Sequence, residues 1–302
     1  MKLVSFSAAA SLESGGTARI GVLADGTVAD DTVVDLSIAV PALPTDMKSF
    51  LVAGPDAWAK ARDALHSARG RLPLANVQLR APITNPGKVL AIGLNYADHV
   101  KESGQELPKH QIWFNKQWNC ITGPGDVEIP AVAPRFVDYE AELCLIIGRR
   151  CRHVPKERAH EVIFGYTCGN DVSVRDWQLR TPQFTLGKSF ATHAPIGPWI
   201  VTSDEFGDPH NKALEGFVNG ERRQHSNTSQ LIFDCYEQVA ELSAAFQLDA
   251  GDVIFTGTPD GVGGAMKPPR FLAAGDRLRV QIEGIGALDN VMVAENLVTV
   301  IA

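Results

Sequence analysis

Three carboxylates offer the plainest chemistry in this sequence. Glu140 and Glu142 lie in VDYEAELCLIIG, and Asp171 ends the apolar run IFGYTCGND. The first segment reads as a strand, in which side chains at i and i+2 point to the same face. Glu140 and Glu142 are therefore neighbours. They share their face with Cys144 and Ile146, while Ala141, Leu143, Leu145 and Ile147 fill the other. A strand apolar on both faces belongs in a core, and two adjacent buried carboxylates are costly without a cation. Oxygen-only ligands suit a hard divalent cation, Mg2+ first, with Mn2+ or Ca2+ as alternatives. Read alone, the pattern also fits an exposed strand end carrying two solvated glutamates.

GLNYADHVKESGQELPKH, residues 93–110, places His99 and Glu102 three positions apart, on one face of a helical turn. A carboxylate beside an imidazole orients it and raises its basicity, as a general base for water requires. A surface ion pair would have the same spacing. The Gly-, Pro- and charge-rich stretch that follows has the composition of a mobile lid. NDVSVRDWQ adds Arg175 and Gln178 close to Asp171, and LGKSF adds Lys188. Arg175 and Lys188 could hold an anionic substrate beside the cation, Arg bidentately and Lys as a point charge. Solvated surface cations are the plainer alternative, although Lys188 lies between Leu186 and Phe190 in a mostly uncharged stretch. Thr256 and Thr258 in FTGTPDGVGG could bind a carboxylate together with nearby N–H groups, or simply mark a tight turn. Gly187-Lys188-Ser189 is not a phosphate-binding loop, because Pro182 stands where the motif needs glycine. His193 reads as structural.

The elements that must position these groups follow from pattern. The balance of 28 basic against 35 acidic residues gives a net charge of −7 over 302 residues. This argues against a nucleic-acid surface and for a soluble enzyme acting on small molecules. No apolar run is long enough to span a bilayer. MKLVSFSAAASL imitates a short signal peptide, but Ser5 and Ser7 interrupt it and it reads as a first strand. The five cysteines form no C-x-x-C pair and read as reduced, buried thiols of a cytoplasmic protein, with neither a disulfide framework nor a zinc site.

Along the chain, ADG at 24–26 signals a hairpin turn. A helix is expected over 56–69, with Asp56 as N-cap and Trp58, Ala61 and Leu65 on one face. Pro82, Pro86 and Gly87 then punctuate the chain, dividing a small N-terminal domain (1–80) from a catalytic domain (81–302). Beyond that boundary strands dominate: KVLAIGLN, AELCLIIG, FGYTCGND, PIGPWIVT, ALEGFVNG, DVIFTG and RLRVQIEGIG. Two helices are expected among them, at 155–163 starting from Pro155 and at 229–246 with a stripe of Leu231, Ile232, Val239 and Leu242. The fold class is α+β and β-rich, without the regular strand–helix alternation of a doubly wound sheet or TIM barrel.

Taken together, GLNYADHVKE, the E-x-E of DYEAELCLIIG, GNDVSVRDWQ, LGKSF and GDVIFTGTPDGVG resemble the fumarylacetoacetate hydrolase family, in the family's order, from about residue 86 to 298. The resemblance implies a mixed β-sandwich roll with a smaller N-terminal α/β domain, usually as a homodimer. It carries metal binding onto Glu140, Glu142 and Asp171, and a water-activating dyad onto His99 and Glu102. Lys188 becomes a catalytic cation, and Arg175, Gln178 and Thr258 become substrate contacts. The run MKPPRFLAAGD at 266–276 is more like the bacterial catabolic branch than fumarylacetoacetase itself. The implied activity is Mg2+-dependent C–C hydrolysis of an acylpyruvate or related 2,4-diketo acid in catabolism of aromatic or sugar acids. The alternatives are oxaloacetate-type decarboxylation, isomerisation of a 2-hydroxyhepta-2,4-diene-1,7-dioate-type diacid, and non-catalytic binding of a 2-oxo acid.

Overall fold

The computed structural model describes residues 1–8, 18–24 and 31–301. The ADG turn falls largely on 25–30, outside the described residues, but the strands it would join, Arg19–Ala24 and Thr32–Asp35, pair antiparallel.

Each of the seven quoted segments contains a strand. The central one, Ala141–Ile147, is buried along its whole length. It pairs antiparallel with Ile163–Asn170 on one side and Val253–Phe255 on the other. Its two faces feed different cores, as the alternation requires. Ala141, Leu143, Leu145 and Ile147 pack with Leu214, Val280 and Leu288 of a five-stranded sheet and with Val239 and Leu242 of a helix. Cys144 and Ile146 join Met1, Leu3, Ile20 and Phe50. The architecture is a strand-rich α+β fold in which a large mixed sheet carries a core on each face.

The strands described within the first 80 residues continue the same large sheet. Lys2–Ala8 is a strand and pairs with Ala194–Thr202, with Leu3 opposite Ile200. At the far end of that sheet Val253–Phe255 runs parallel to Val89–Gly93, which pairs antiparallel with Ile112–Lys116. Thus the residues after Gly93 and before Ile112 leave one sheet edge, next to the carboxylates.

Helix ends differ from expectation for local reasons. The helix expected from 56 runs from Pro55 to Asp63, with Gly54 at the cap, and continues as a short 3-10 turn over 64–66. Proline suits a first helical position because its missing N–H would be unpaired there. Asp56 therefore falls in the first turn. Residues Lys156–Glu161 form a 3-10 helix with Pro155 just outside it, and Ile163 already belongs to a strand. The expected 229–246 helix is confined to Cys235–Ala245. Asp234 accepts from the N–H groups of Tyr236 and Glu237 while Glu237 returns a bond to the Asp234 N–H, a capping box that fixes the start. Leu231 and Ile232 precede it, so only Val239 and Leu242 of the expected stripe are helical and buried. Among the described residues, no helix is long and apolar enough to cross a membrane. All five cysteines are free, and all but Cys151 are fully buried.

Candidate active site

Glu140, Glu142 and Asp171 converge. Each offers an oxygen within 4.8 Å of the others', and all three are buried. The sheet does this directly: Ala141 pairs with Asn170, so the residue before one strand meets the residue after the other. The Asp171 N–H donates to the Glu140 carbonyl at 2.9 Å, locking that juncture. The solvated strand end is thereby excluded.

The cluster is partly neutralised from within. Lys188, which is buried, donates to Glu140 Oε2 at 2.9 Å and to Asp171 Oδ2 at 2.7 Å. Arg175 reaches Glu140 Oε1 at 2.6 Å and Asp138 Oδ2 at 2.9 Å through Nε, and also donates to Gln178 Oε1 at 2.9 Å. Burial alone would raise the Glu140 pKa, but Lys188 and Arg175 outweigh it and hold the carboxyl at about 2. Burial pushes Lys188 down, and Asp171 and Glu140 more than reverse that. Glu142 is different: its recorded bond is from the Gly257 N–H to Oε2, at 2.7 Å. Burial, then Asp171 and Glu140, push its pKa well above the usual carboxylate range. Gly257 sits at φ +103°, and a Cβ there would lie 2.8 Å from that of Asn95, so the close approach to Glu142 needs glycine. A divalent cation fits this donor set, since three buried carboxylates converge and Glu142 is bonded to a main-chain N–H rather than to a cationic side chain.

The dyad forms as its spacing predicts. His99 and Glu102 lie on helix Ala97–Ser103, which ends at Gly104 in a left-handed turn. His99 Nδ1 is 3.1 Å from Glu102 Oε2, and Glu102 Oε1 accepts from the Gly261 N–H at 3.0 Å. Glu102 is thus pinned from the GTPDGVGG turn. An ionised carboxylate only accepts, which places the imidazole proton on Nδ1 and leaves Nε2 as an acceptor. The stretch 105–111 after the helix forms no regular structure.

A cavity of about 300 Å³ brings the parts together. It is lined by His99, Glu140, Arg175, Gln178, Lys188 and Thr258, with Ile92, Ile112, Phe114 and Phe184 as apolar wall. Lys188 has three donors and spends two on carboxylates, leaving one for the cavity. Gln178 uses its carbonyl on Arg175, which leaves its amide nitrogen for a ligand. Thr258 is bound more tightly into the frame than expected. Its hydroxyl proton goes to the Ala141 carbonyl at 3.0 Å, and Gln224 donates to its oxygen at 2.8 Å. Thr256 likewise donates to the Leu143 carbonyl and is fully buried. Two residues that the sequence reading passed over join the site. Asp138 anchors Arg175 and accepts from the Gly263 and Gly264 N–H groups. Lys116 donates to Asp171 Oδ1 at 2.6 Å. Asp138 has a sequence signal, its alternation with Glu140 and Glu142. Lys116 has none.

The family model described as fumarylacetoacetate (FAA) hydrolase, C-terminal, matches residues 88–293. The chain belongs to this family. The match begins where the strand Val89–Gly93 begins and takes in every cavity residue named above. The mitochondrial oxaloacetate tautomerase fahd2 of Xenopus laevis is 42% identical over 97% of this chain and 90% of its own length. The fumarylacetoacetate hydrolase of the psychrophile Exiguobacterium antarcticum superimposes with a TM-score of 0.82 at 38% identity, covering 98% of this chain and all of its own. The maleylpyruvate hydrolase of Sphingobium sp. SYK-6, solved with manganese(II) and pyruvate, does so at 0.78 and 32%, with the same coverage. Enzymes of this family therefore include hydrolases and tautomerases on one scaffold.

Proposed function

We propose that this family member is a divalent-cation-dependent enzyme of short 2-oxo acids, and that it interconverts the keto and enol forms of an oxaloacetate-like acid. The observation that carries the reading is the His99–Glu102 pair, with the base nitrogen free beside a cavity that Glu140 and Lys188 also line. The similarity to an oxaloacetate tautomerase across 97% of the chain supports the choice of reaction. Glu140, Glu142 and Asp171 would hold the cation, Mg2+ or Mn2+, which when bound supplies Lewis acidity towards the oxygens of the 2-oxo acid. The chain's own groups do the rest. Gln178 and the spare Lys188 donor orient the acid. His99 Nε2 takes the proton from the carbon next to the keto group, and Glu102 steadies the imidazolium through Nδ1–H. Lys188 stabilises the negative charge that develops on oxygen. His99 then returns the proton to that oxygen, completing the shift without net loss of any atom.

The second reading is the one drawn from the sequence, hydrolytic C–C cleavage of an acylpyruvate. It is favoured by the partial exposure of the His99 side chain, 15%, which lets water reach the base, and by the fold shared with a maleylpyruvate hydrolase. There His99 would deprotonate water rather than carbon. Decarboxylation needs neither step. A panel of enol-oxaloacetate, acylpyruvates and unsaturated 2-oxo diacids, with products identified by NMR, separates these. Rapid ketonisation of enol-oxaloacetate without cleavage of any diketo acid supports the first reading. Cleavage with slow ketonisation supports the second.

A further inference from the structure

The strand Ile112–Lys116 turns Phe114 and Lys116 inward on one face. The Phe114 ring lies under the Lys188 ammonium, 5.0 Å from Nζ to centroid. Lys116 is buried, with its side chain fully inaccessible. Its three donors have three acceptors: Asp171 Oδ1 at 2.6 Å, the Val172 carbonyl at 3.4 Å, and the main-chain carbonyl of Lys188. It makes no ion pair with Glu140 or Glu142, and it is absent from the lining of the substrate cavity. The two oxygens of Asp171 are thus divided between two lysines, Lys116 behind and Lys188 in front.

We propose that Lys116 is a positioning residue. It holds Asp171 by one oxygen and the Lys188 main chain by its carbonyl, so that the other Asp171 oxygen and the Lys188 ammonium face the cation and the substrate. This rests on the cation-dependent reading above. A lone counter-charge would need only proximity to Asp171. Two further bonds to main-chain carbonyls, from a strand distant in sequence, are what rigid placement needs. The role is indirect, because Lys116 does not line the cavity shared by His99 and Lys188.

Lys116→Met keeps the length and apolar stem but loses every donor. Lys116→Gln keeps an N–H and loses the charge. Free Mn2+, followed by its EPR signal, gives the affinity of each, and melting in chelator checks that each folds. Partners behind metal ligands typically contribute about 10–100-fold. Lys116→Met should therefore weaken Mn2+ binding at least about tenfold, with Lys116→Gln between it and the parent. At saturating metal kcat should fall about tenfold or more while KM moves by less than about threefold, since the substrate contacts remain. Equal or tighter Mn2+ binding by Lys116→Met would make Lys116 a mere counter-charge and overturn the proposal. If that variant does not fold, parent-like affinity in Lys116→Gln overturns it equally. A parent that binds no Mn2+ would instead remove the cation-dependent reading, and this proposal with it.

Discussion

Lys188→Met tests the electrostatics of the site in detail. It deletes an ammonium that donates to Glu140 at 2.9 Å and to Asp171 at 2.7 Å, with both acids almost inaccessible. Removing one partner of a buried ion pair costs about 3–5 kcal/mol, because the other charge stays behind. Here each carboxylate keeps a second cation, Arg175 on Glu140 and Lys116 on Asp171. The lower end, about 3 kcal/mol, is therefore the expected loss. For 302 residues, with an unfolding entropy of about 2.1 cal/mol/K per residue, a loss of 1 kcal/mol lowers the melting temperature by about 1.6 °C, so the variant should melt about 5 °C lower in chelator. It should bind Mg2+ or Mn2+ at least as tightly as the parent, because an ammonium no longer competes for two of the three acids. Metal at 100 times its Kd adds about 2.7 kcal/mol, enough to bring melting close to that of the metal-free parent. Turnover should not recover, because the donor facing the substrate is gone. Differential scanning calorimetry with and without metal, beside steady-state kinetics, reads both halves. Unchanged melting in chelator would refute the counter-charge role, and parent-like turnover in saturating metal would refute the substrate role.

Three further outcomes are expected. His99→Ala should lower turnover by about 10²–10⁴, the usual contribution of a general base, while pyruvate-analogue and metal binding persist; unchanged turnover would remove the dyad from the mechanism. Glu102→Gln should have a smaller effect, since the imidazole remains and only its orientation and basicity suffer. His193 should make the fold acid-sensitive. Its Nε2–H donates to the Glu128 carbonyl at 2.8 Å, Nδ1 has no partner, and burial above all lowers its pKa from 6.5 to about 4. The unfolded chain gains the proton first as pH falls, so this stabilisation is intact above about pH 6.5 and is lost progressively towards pH 4. At about 1.4 kcal/mol per unit the loss approaches about 3 kcal/mol. Urea denaturation between pH 7 and 4.5 should therefore give a shallower slope for His193→Gln than for the parent, and identical slopes would contradict the assignment.

Much of the site was legible because strand periodicity is local. The i, i+2 spacing of Glu140 and Glu142, the two apolar faces of their strand and the three-residue gap between His99 and Glu102 all depend on neighbours in sequence, and the fold realises each of them. What the pattern could not carry was partnership across the chain. Arg175 reads as a free substrate clamp, yet most of its guanidinium is committed to Asp138, Glu140 and Gln178. Thr258 reads as a ligand for carboxylate, yet its hydroxyl is spent on Ala141 and Gln224. Lys116 sits in IWFNK, which has no distinguishing feature, and meets Asp171 only because that strand pairs with Val89–Gly93. Helix ends shifted for the same reason at shorter range: Pro55 and Asp234 set starts that periodicity alone does not reveal.

The proposed chemistry depends on a divalent cation held by Glu140, Glu142 and Asp171. The most direct measurement strips the protein with chelator, then titrates Mn2+ while following both bound metal and turnover of a 2-oxo acid, for the parent and for Glu142→Ala. One Mn2+ should bind per chain and activity should rise in step with occupancy, and the variant should show neither. Full activity in the stripped parent with no metal bound, or parent-like binding by Glu142→Ala, would contradict it.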